Sequence, residues 1–148
     1  MTRLSPPALS GLPASVIKPR YDRTKLQTGH IHLGLGGFHR AHQAYYTESV
    51  LNAGATEWGI LGVSLRSPAT RDALLAQDGL YTLASRGDEE THHIIGAVHR
   101  LMVAPENPAA LIRAMTDPHI KLISLTITEK GYCIDPASGA LNLNDPAI

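Results

Sequence analysis

The glycine cluster Gly34-Leu35-Gly36-Gly37 limits the fold of this 148-residue chain more than any other feature. It follows His30-Ile31-His32-Leu33, which alternates polar and apolar side chains and reads as a short strand. It precedes residues 38–53, where Phe38, Ala41, Tyr45 and Leu51 fall near helical spacing and Asn52-Ala53-Gly54 supplies a stop. Glycine tolerates the φ > 0 conformations that other residues avoid, so the strand turns sharply into the helix. Strand, glycine turn and helix in that order open a dinucleotide-binding fold. There the bare backbone approaches a diphosphate with no Cβ in the way. The free N–H groups and positive dipole end of the helix then hold the anion. The turn and helix start, Gly34, Leu35, Gly36, Gly37, Phe38 and His39, are the candidate cofactor ligands. Arg40, in the first helical turn, adds a charge-assisted hydrogen bond. His39 stands where the G-x-G-x-x-G/A pattern has its third small residue, and glycine clusters also make ordinary strand-to-helix turns.

The rest of the chain alternates in kind. Residues 1–29 carry Pro6, Pro7, Pro13 and Pro19, which block regular helix or central strand and predict an arm laid over the surface of a domain spanning 30–148. The apolar run 58–64 predicts a strand buried on both faces. A helix over 71–77 follows, then a strand over 80–85, a turn over 86–90 and a strand over 93–103. The last two strands predict an antiparallel hairpin inserted in the pattern. Asn107-Pro108 opens a helix through Met115, and 121–127 is a buried strand. The fold class is α/β, Rossmann-like, with a mainly parallel sheet.

Composition excludes several functions. The 13 Lys+Arg against 13 Asp+Glu leave no basic excess for nucleic acid. No apolar run approaches the roughly 20 residues of a membrane span, and the start lacks a secretory apolar segment, so a cytoplasmic location is expected. Cys133 is alone and makes no internal disulfide. Of the eight histidines, His39 and His42 lie one turn apart but lack an identifiable third ligand, so no metal site is expected.

Two segments bear on the cofactor. A dinucleotide fold places an acid at the end of its second strand, on the ribose 2′-hydroxyl. Here Ser64-Leu65-Arg66-Ser67-Pro68-Ala69-Thr70-Arg71 holds two arginines and no carboxylate before Asp72. Arg66 and Arg71 are therefore either partners for the 2′-phosphate of NADP or solvated loop charges. Thr128-Glu129-Lys130-Gly131-Tyr132-Cys133 follows the last strand, where a parallel sheet binds ligand, so Thr128 and Glu129 join the candidate cofactor contacts. By spacing alone, Glu129-Lys130 also fits a surface ion pair before a glycine turn.

Two strings, His32-Leu33-Gly34-Leu35-Gly36-Gly37-Phe38-His39-Arg40-Ala41-His42-Gln43 and Ser124-Leu125-Thr126-Ile127-Thr128-Glu129-Lys130-Gly131-Tyr132-Cys133, resemble signatures of the long-chain polyol dehydrogenase family. This is the family of mannitol 2-dehydrogenase and fructuronate reductase. Trp58-Gly59-Ile60, Gly62-Val63 and Leu80-Tyr81-Thr82 are similar to it too. The resemblance implies an oxidoreductase that moves a hydride between a nicotinamide cofactor, NAD or alternatively NADP, and a polyol or sugar-acid substrate. It implies a Rossmann domain followed by a mostly helical domain. The family's general-base lysine belongs to that second domain, in a Lys…Asn…His motif absent from these residues, so no catalytic residue is expected here and Lys130 does not inherit the role. The chain is thus expected to be a truncated Rossmann domain without its C-terminal helical partner, inactive alone and with an apolar sheet edge exposed. A non-catalytic nucleotide-binding module or a purely structural domain are the alternatives.

Overall fold

The computed structural model describes residues 3–87, 89–127, 129–146 and 148. The proline-rich arm carries a 3₁₀ turn, Pro6–Gly11, and the two-residue strand β1 (Val16–Ile17). β2 (Thr28–Leu33) then passes through the glycine turn into a π-helical turn, His39–Gln43, and helix α1 (Ala44–Asn52). β3 (Gly59–Ser64) and α2 (Ala69–Leu75) follow, then β4 (Tyr81–Ser85), β5 (Thr91–Ile95) and β6 (Val98–Val103). α3 (Pro108–Met115) and β7 (Leu122–Leu125) complete the core.

β2, β3, β6 and β7 form one parallel sheet in the order β6-β3-β2-β7. All six residues of β3 are buried, as its unbroken apolar run requires. The alternation in β2 has a direct cause. Ile31 packs with Leu61 and Val63 on the face covered by Leu111, Ala114 and Met115 of α3. On the other face, Ile60 and Val98 pack with Ala44 and Leu51 of α1 and Leu74 of α2. Each Leu or Ile so buried adds about 1.5–3 kcal/mol of driving force. Asn107 caps α3, its Oδ1 accepting from the Ala110 N–H at 2.9 Å, and Pro108 occupies the first turn, where its missing N–H costs nothing.

The predicted hairpin exists, but its second strand is shorter than the sequence suggests. β4 pairs antiparallel with β5, and β5 with β1, in a separate three-stranded sheet. The apolar run continues past Ile95, yet Val98–Val103 belongs to the parallel sheet beside β3. The break falls at Gly96, where the arm presses on the backbone. A Cβ there would meet Arg23 and Pro19 at 3.0–3.1 Å. The Gly96 N–H donates to Glu48 Oε2 at 2.8 Å, and its carbonyl accepts from Arg23 Nε at 3.2 Å. Tyr21 donates to the same Glu48 oxygen at 2.9 Å. Burial raises the Glu48 carboxyl above its usual range. Arg23 also clamps Asp78, through the carboxylate at 2.7 Å and the carbonyl at 2.6 Å. The arm is therefore fastened to the hairpin through one arginine and one buried carboxyl.

The β7 edge has no strand partner among the described residues, and Leu122, Ile123 and Leu125 remain more than 40% exposed. This is the apolar edge expected from the sequence.

Gly79 tests the hairpin junction. Its φ is +74°, and a Cβ would strike the Val98 carbonyl. Gly79→Ala should cost about 1–3 kcal/mol, as backbone strain and overpacking do. Urea denaturation should show a lower midpoint at unchanged slope; an unchanged midpoint would mean that β6 gives way freely.

Candidate functional site

The strand order reverses between β2 and β7, since the chain builds outward through β3 and β6 on one side and returns to β7 on the other. Open α/β sheets bind ligands outside the carboxyl ends of their strands at such a point. Gly34 lies there, at the end of β2. Its φ of +109° is a left-handed conformation that glycine adopts without strain, and its N–H donates to the Val63 carbonyl at 2.8 Å. Gly36 and Gly37 differ. Both are exposed, neither has a positive φ, and a Cβ on either would meet nothing within 4 Å. The fold itself does not demand glycine at these positions. What their bareness provides is open space above the helix start. The first bond of that helix runs from the Arg40 N–H to the Gly36 carbonyl at 3.2 Å. The preceding amides therefore have no acceptor within the helix. Residues and geometry fit the diphosphate of a dinucleotide.

The other predicted contacts divide. Leu35 is buried, and its side chain fills the space above Gly62. Phe38 is exposed and stacks on His42, with ring centroids 4.9 Å apart. The His39 side chain is wholly buried and turned to the sheet, so only its backbone is at the turn. It takes the place of a small residue because the helix widens there: the Ala44 N–H bonds back to the His39 carbonyl across five residues. Arg40 is half-buried and lines a cleft of about 350 Å³ with Thr70, Leu74, Gln77 and Tyr81 of the α2 side. Its buried Nε has no hydrogen-bond partner among the described residues. Arg66 is exposed on the loop after β3. Arg71 is occupied, with two hydrogen bonds to Glu106 at 2.8 and 3.0 Å and a further pair with Asp72. Glu129 opens a 3₁₀ turn, Glu129–Tyr132, while Thr128 lies outside the described residues.

Beneath the turn is a buried polar cluster that the sequence reading did not single out. β2 and β7 are in register at His32 and Ser124. The Ser124 hydroxyl meets His30 Nε2 at 2.6 Å and His32 Nδ1 at 2.8 Å, and accepts from Gln43 Nε2 at 3.3 Å. Gln43 Oε1 lies 2.9 Å from His39 Nδ1, and the His39 ring stacks on His32 with centroids 3.7 Å apart. Burial, reinforced by the neighbouring His39, pushes the His30 and His32 imidazoles down to about 4. Both are therefore neutral at pH 7. Among the described residues, no group of three metal-ligating side chains is placed to hold an ion.

A groove of about 500 Å³ runs along the flank of α1 past His30, Trp58 and Leu122 toward Thr126. It extends to the amino-terminal side of the strands, so it is not confined to the carboxyl-end crevice where the glycine turn lies.

Residues 28–147 match the model of the mannitol dehydrogenase Rossmann domain. The chain belongs to the mannitol dehydrogenase family. It is 49% identical over 140 residues to an uncharacterized oxidoreductase, YeiQ, of Escherichia coli, covering 93% of this chain and 29% of that protein. Its identity to the D-mannonate oxidoreductase of E. coli is 43%, over 94% of this chain and 29% of the relative. With the polyol:NADP oxidoreductase of Gluconobacter oxydans it is 38%, over 95% and 30%. The mannitol 2-dehydrogenase of Pseudomonas fluorescens, solved as a ternary complex with NAD and D-mannitol, superposes with a TM-score of 0.84 at 41% identity, over 95% of this chain and 30% of that one. The chain thus spans under a third of the length of the relatives it matches. No helix among the described residues is long and apolar enough to cross a membrane.

The histidine cluster sets two expectations. Ser124→Ala leaves buried ring nitrogens unpaired and should cost about 1–3 kcal/mol in chemical denaturation; no loss would mean that water replaces the hydroxyl. The second concerns pH. His30, His32 and His99, the last also lowered to about 4 by burial, are neutral in the fold, whereas the unfolded chain takes up protons near 6.5. Their stabilisation is complete above pH 6.5 and is lost as pH falls toward 4. Glu48, shifted upward, acts in the opposite sense. Melting temperature should decline through this window, and replacing His30 and His32 together with Gln should flatten the decline; an equal slope in the variant would contradict it.

Proposed function

We propose that this chain is the nicotinamide-cofactor-binding part of a cytoplasmic oxidoreductase that interconverts a sugar alcohol or aldonate and its keto form. Mannitol with fructose, or mannonate with fructuronate, are the substrate pairs that the relatives' names suggest for the whole protein. The observation that carries the reading is the bare, exposed backbone of Gly36 and Gly37 over a helix start at the point of strand reversal. Gly34 makes the bend, and the amides of Gly36, Gly37, Phe38 and His39 donate to the diphosphate. Arg40 adds positive charge from the cleft wall. Arg66 borders the adenosine end, while Thr128 and Glu129, on the loop after β7, border the nicotinamide end. Residues 1–27 act as an arm strapped over the binding domain, since Thr28 and Gly29, which the sequence reading counts with the arm, open β2.

A nicotinamide cofactor held there would supply the hydride donor or acceptor. The chain's own residues bind and orient it. The polyol or sugar acid, and the base that takes its hydroxyl proton, are assigned to a second, helical domain, so the 148 residues are expected to hold cofactor without turnover. Neutral His30 and His32 keep the floor of the crevice uncharged and fix β7 against the glycine-turn helix through Ser124.

Gly36→Val separates binding from folding, because the added side chain projects into open space. The variant should melt within about a degree of the parent, yet bind NADH at least about tenfold more weakly, the loss expected when steric exclusion removes charge-assisted bonds. Fluorescence titration provides the affinity. Unchanged binding in the folded variant would remove the turn from the site.

A further inference from the structure

The β7 side of the molecule carries an apolar ridge beside an apolar groove. Phe38, His42, Tyr46 and Val50 succeed one another at a spacing of four residues, and all four line the groove above Leu122 and Leu125. Side chains four apart on a helix form the ridge by which it packs on a second helix. Phe38, Tyr46 and Val50 are 43–63% exposed, and no described residue covers them. Growth of the sheet does not fill the groove. Crossovers between parallel strands are right-handed. Those that build from β2 toward β6 lay α1 and α2 on one face, and the return to β7 lays α3 on the other. A strand added beyond β7 continues in the return direction, so its helix would also lie on the α3 face. Three properties fit a second copy of the chain. Ridge and groove lie side by side on one molecule, so a two-fold axis sets each ridge in the other copy's groove and closes the contact. No Lys, Arg, Asp or Glu lines the groove and the chain's formal net charge is zero, so the contact buries no unpaired formal charge and meets no net repulsion. Phe38, Tyr46, Val50, Leu122 and Leu125 leave on the order of 600 Å² of apolar surface uncovered, and a standard interface takes roughly 800 Å² per partner, little more than half of it apolar.

We propose that the face between α1 and β7 is a self-association surface, on which two copies of the chain pair about a two-fold axis. Tyr46 and Val50, on the side of α1 opposite the buried Ala44, Glu48 and Leu51, enter the groove of the other copy and cover its Leu122. The two α1 helices then lie antiparallel between the two parallel sheets, packed ridge into groove.

The test is sedimentation velocity of the full 148-residue chain from about 1 to 100 µM, the range that brackets a dimer of this size. The mass should rise reversibly from one chain to two. Tyr46→Glu and Val50→Glu should each weaken association at least about tenfold, because a carboxylate would be buried without a partner. Leu75→Glu, at a side chain 61% exposed on α2 and outside this face, should leave association unchanged. Trp58 is the chain's one tryptophan and lines the groove, so its emission should move to the red as the parent is diluted and stay there in both α1 variants. Far-UV circular dichroism checks each fold; should Tyr46→Glu misfold, Val50→Glu decides alone. A single chain at the highest concentration would overturn the second copy as occupant and leave the groove to another segment of a longer protein. A dimer indifferent to both α1 variants, or weakened as much by Leu75→Glu, would overturn this face as the interface. Growth beyond two chains would overturn the two-fold pairing.

Discussion

The Ser124 hydroxyl joins the three elements on which the candidate site depends. Through His30 and His32 it ties β7 to β2, and through Gln43 it ties both strands to the helix that leaves the glycine turn. The backbone ladder holds β2 to β7 up to Leu33 and Leu125, and the side chains beneath the turn set how the glycine-turn helix sits on that pair. Here those side chains are neutral imidazoles stacked and bonded in a water-poor layer. The bonds through Ser124 and Gln43 hold such a layer in place, while the buried His39 Nε2 has no hydrogen-bond partner among the described residues. Rigidity under the turn means that Gly36 and Gly37 can be left bare above it.

The two glycine types show how one motif meets two demands. Gly34 answers to the chain, because its backbone angle excludes most other residues. Gly36 and Gly37 answer to nothing within the chain, because the space above them is open. A structural turn alone explains the first and leaves the other two without a reason. A diphosphate seated against the backbone explains all three. The π-helical turn extends this logic, since it lets the bulky His39 occupy the place where a small residue usually lets helix approach strand.

Much of this was legible in the sequence because the decisive signals are local. The alternation in His30–Leu33, the apolar run of β3 and the Asn107-Pro108 start of α3 each report a local geometry. Family membership was legible too, in two long strings at fixed separation. What escaped depends on contacts between distant residues. The run after Ile95 looks continuous, and only Arg23 and Glu48, brought from the arm and α1, divide it between two sheets. Ser124 is an ordinary strand serine until the register with His32 is known. Glu48 did leave a trace, a carboxylate between Ala44 and Leu51 on the buried helical face, at spacings of four and three. Arg66 and Arg71 were indistinguishable as loop cations until Glu106 arrived from another strand's end to claim one of them.

The account stands on a diphosphate held by the backbone at the end of β2, and backbone amide NMR during NADH titration tests it most directly. Saturable shifts centred on Gly36, Gly37, Phe38 and His39, fading along α1, are the predicted result. Saturable shifts that spare those amides and gather instead along Val50, Trp58 and Leu122 would place the nucleotide in the lateral groove and contradict it.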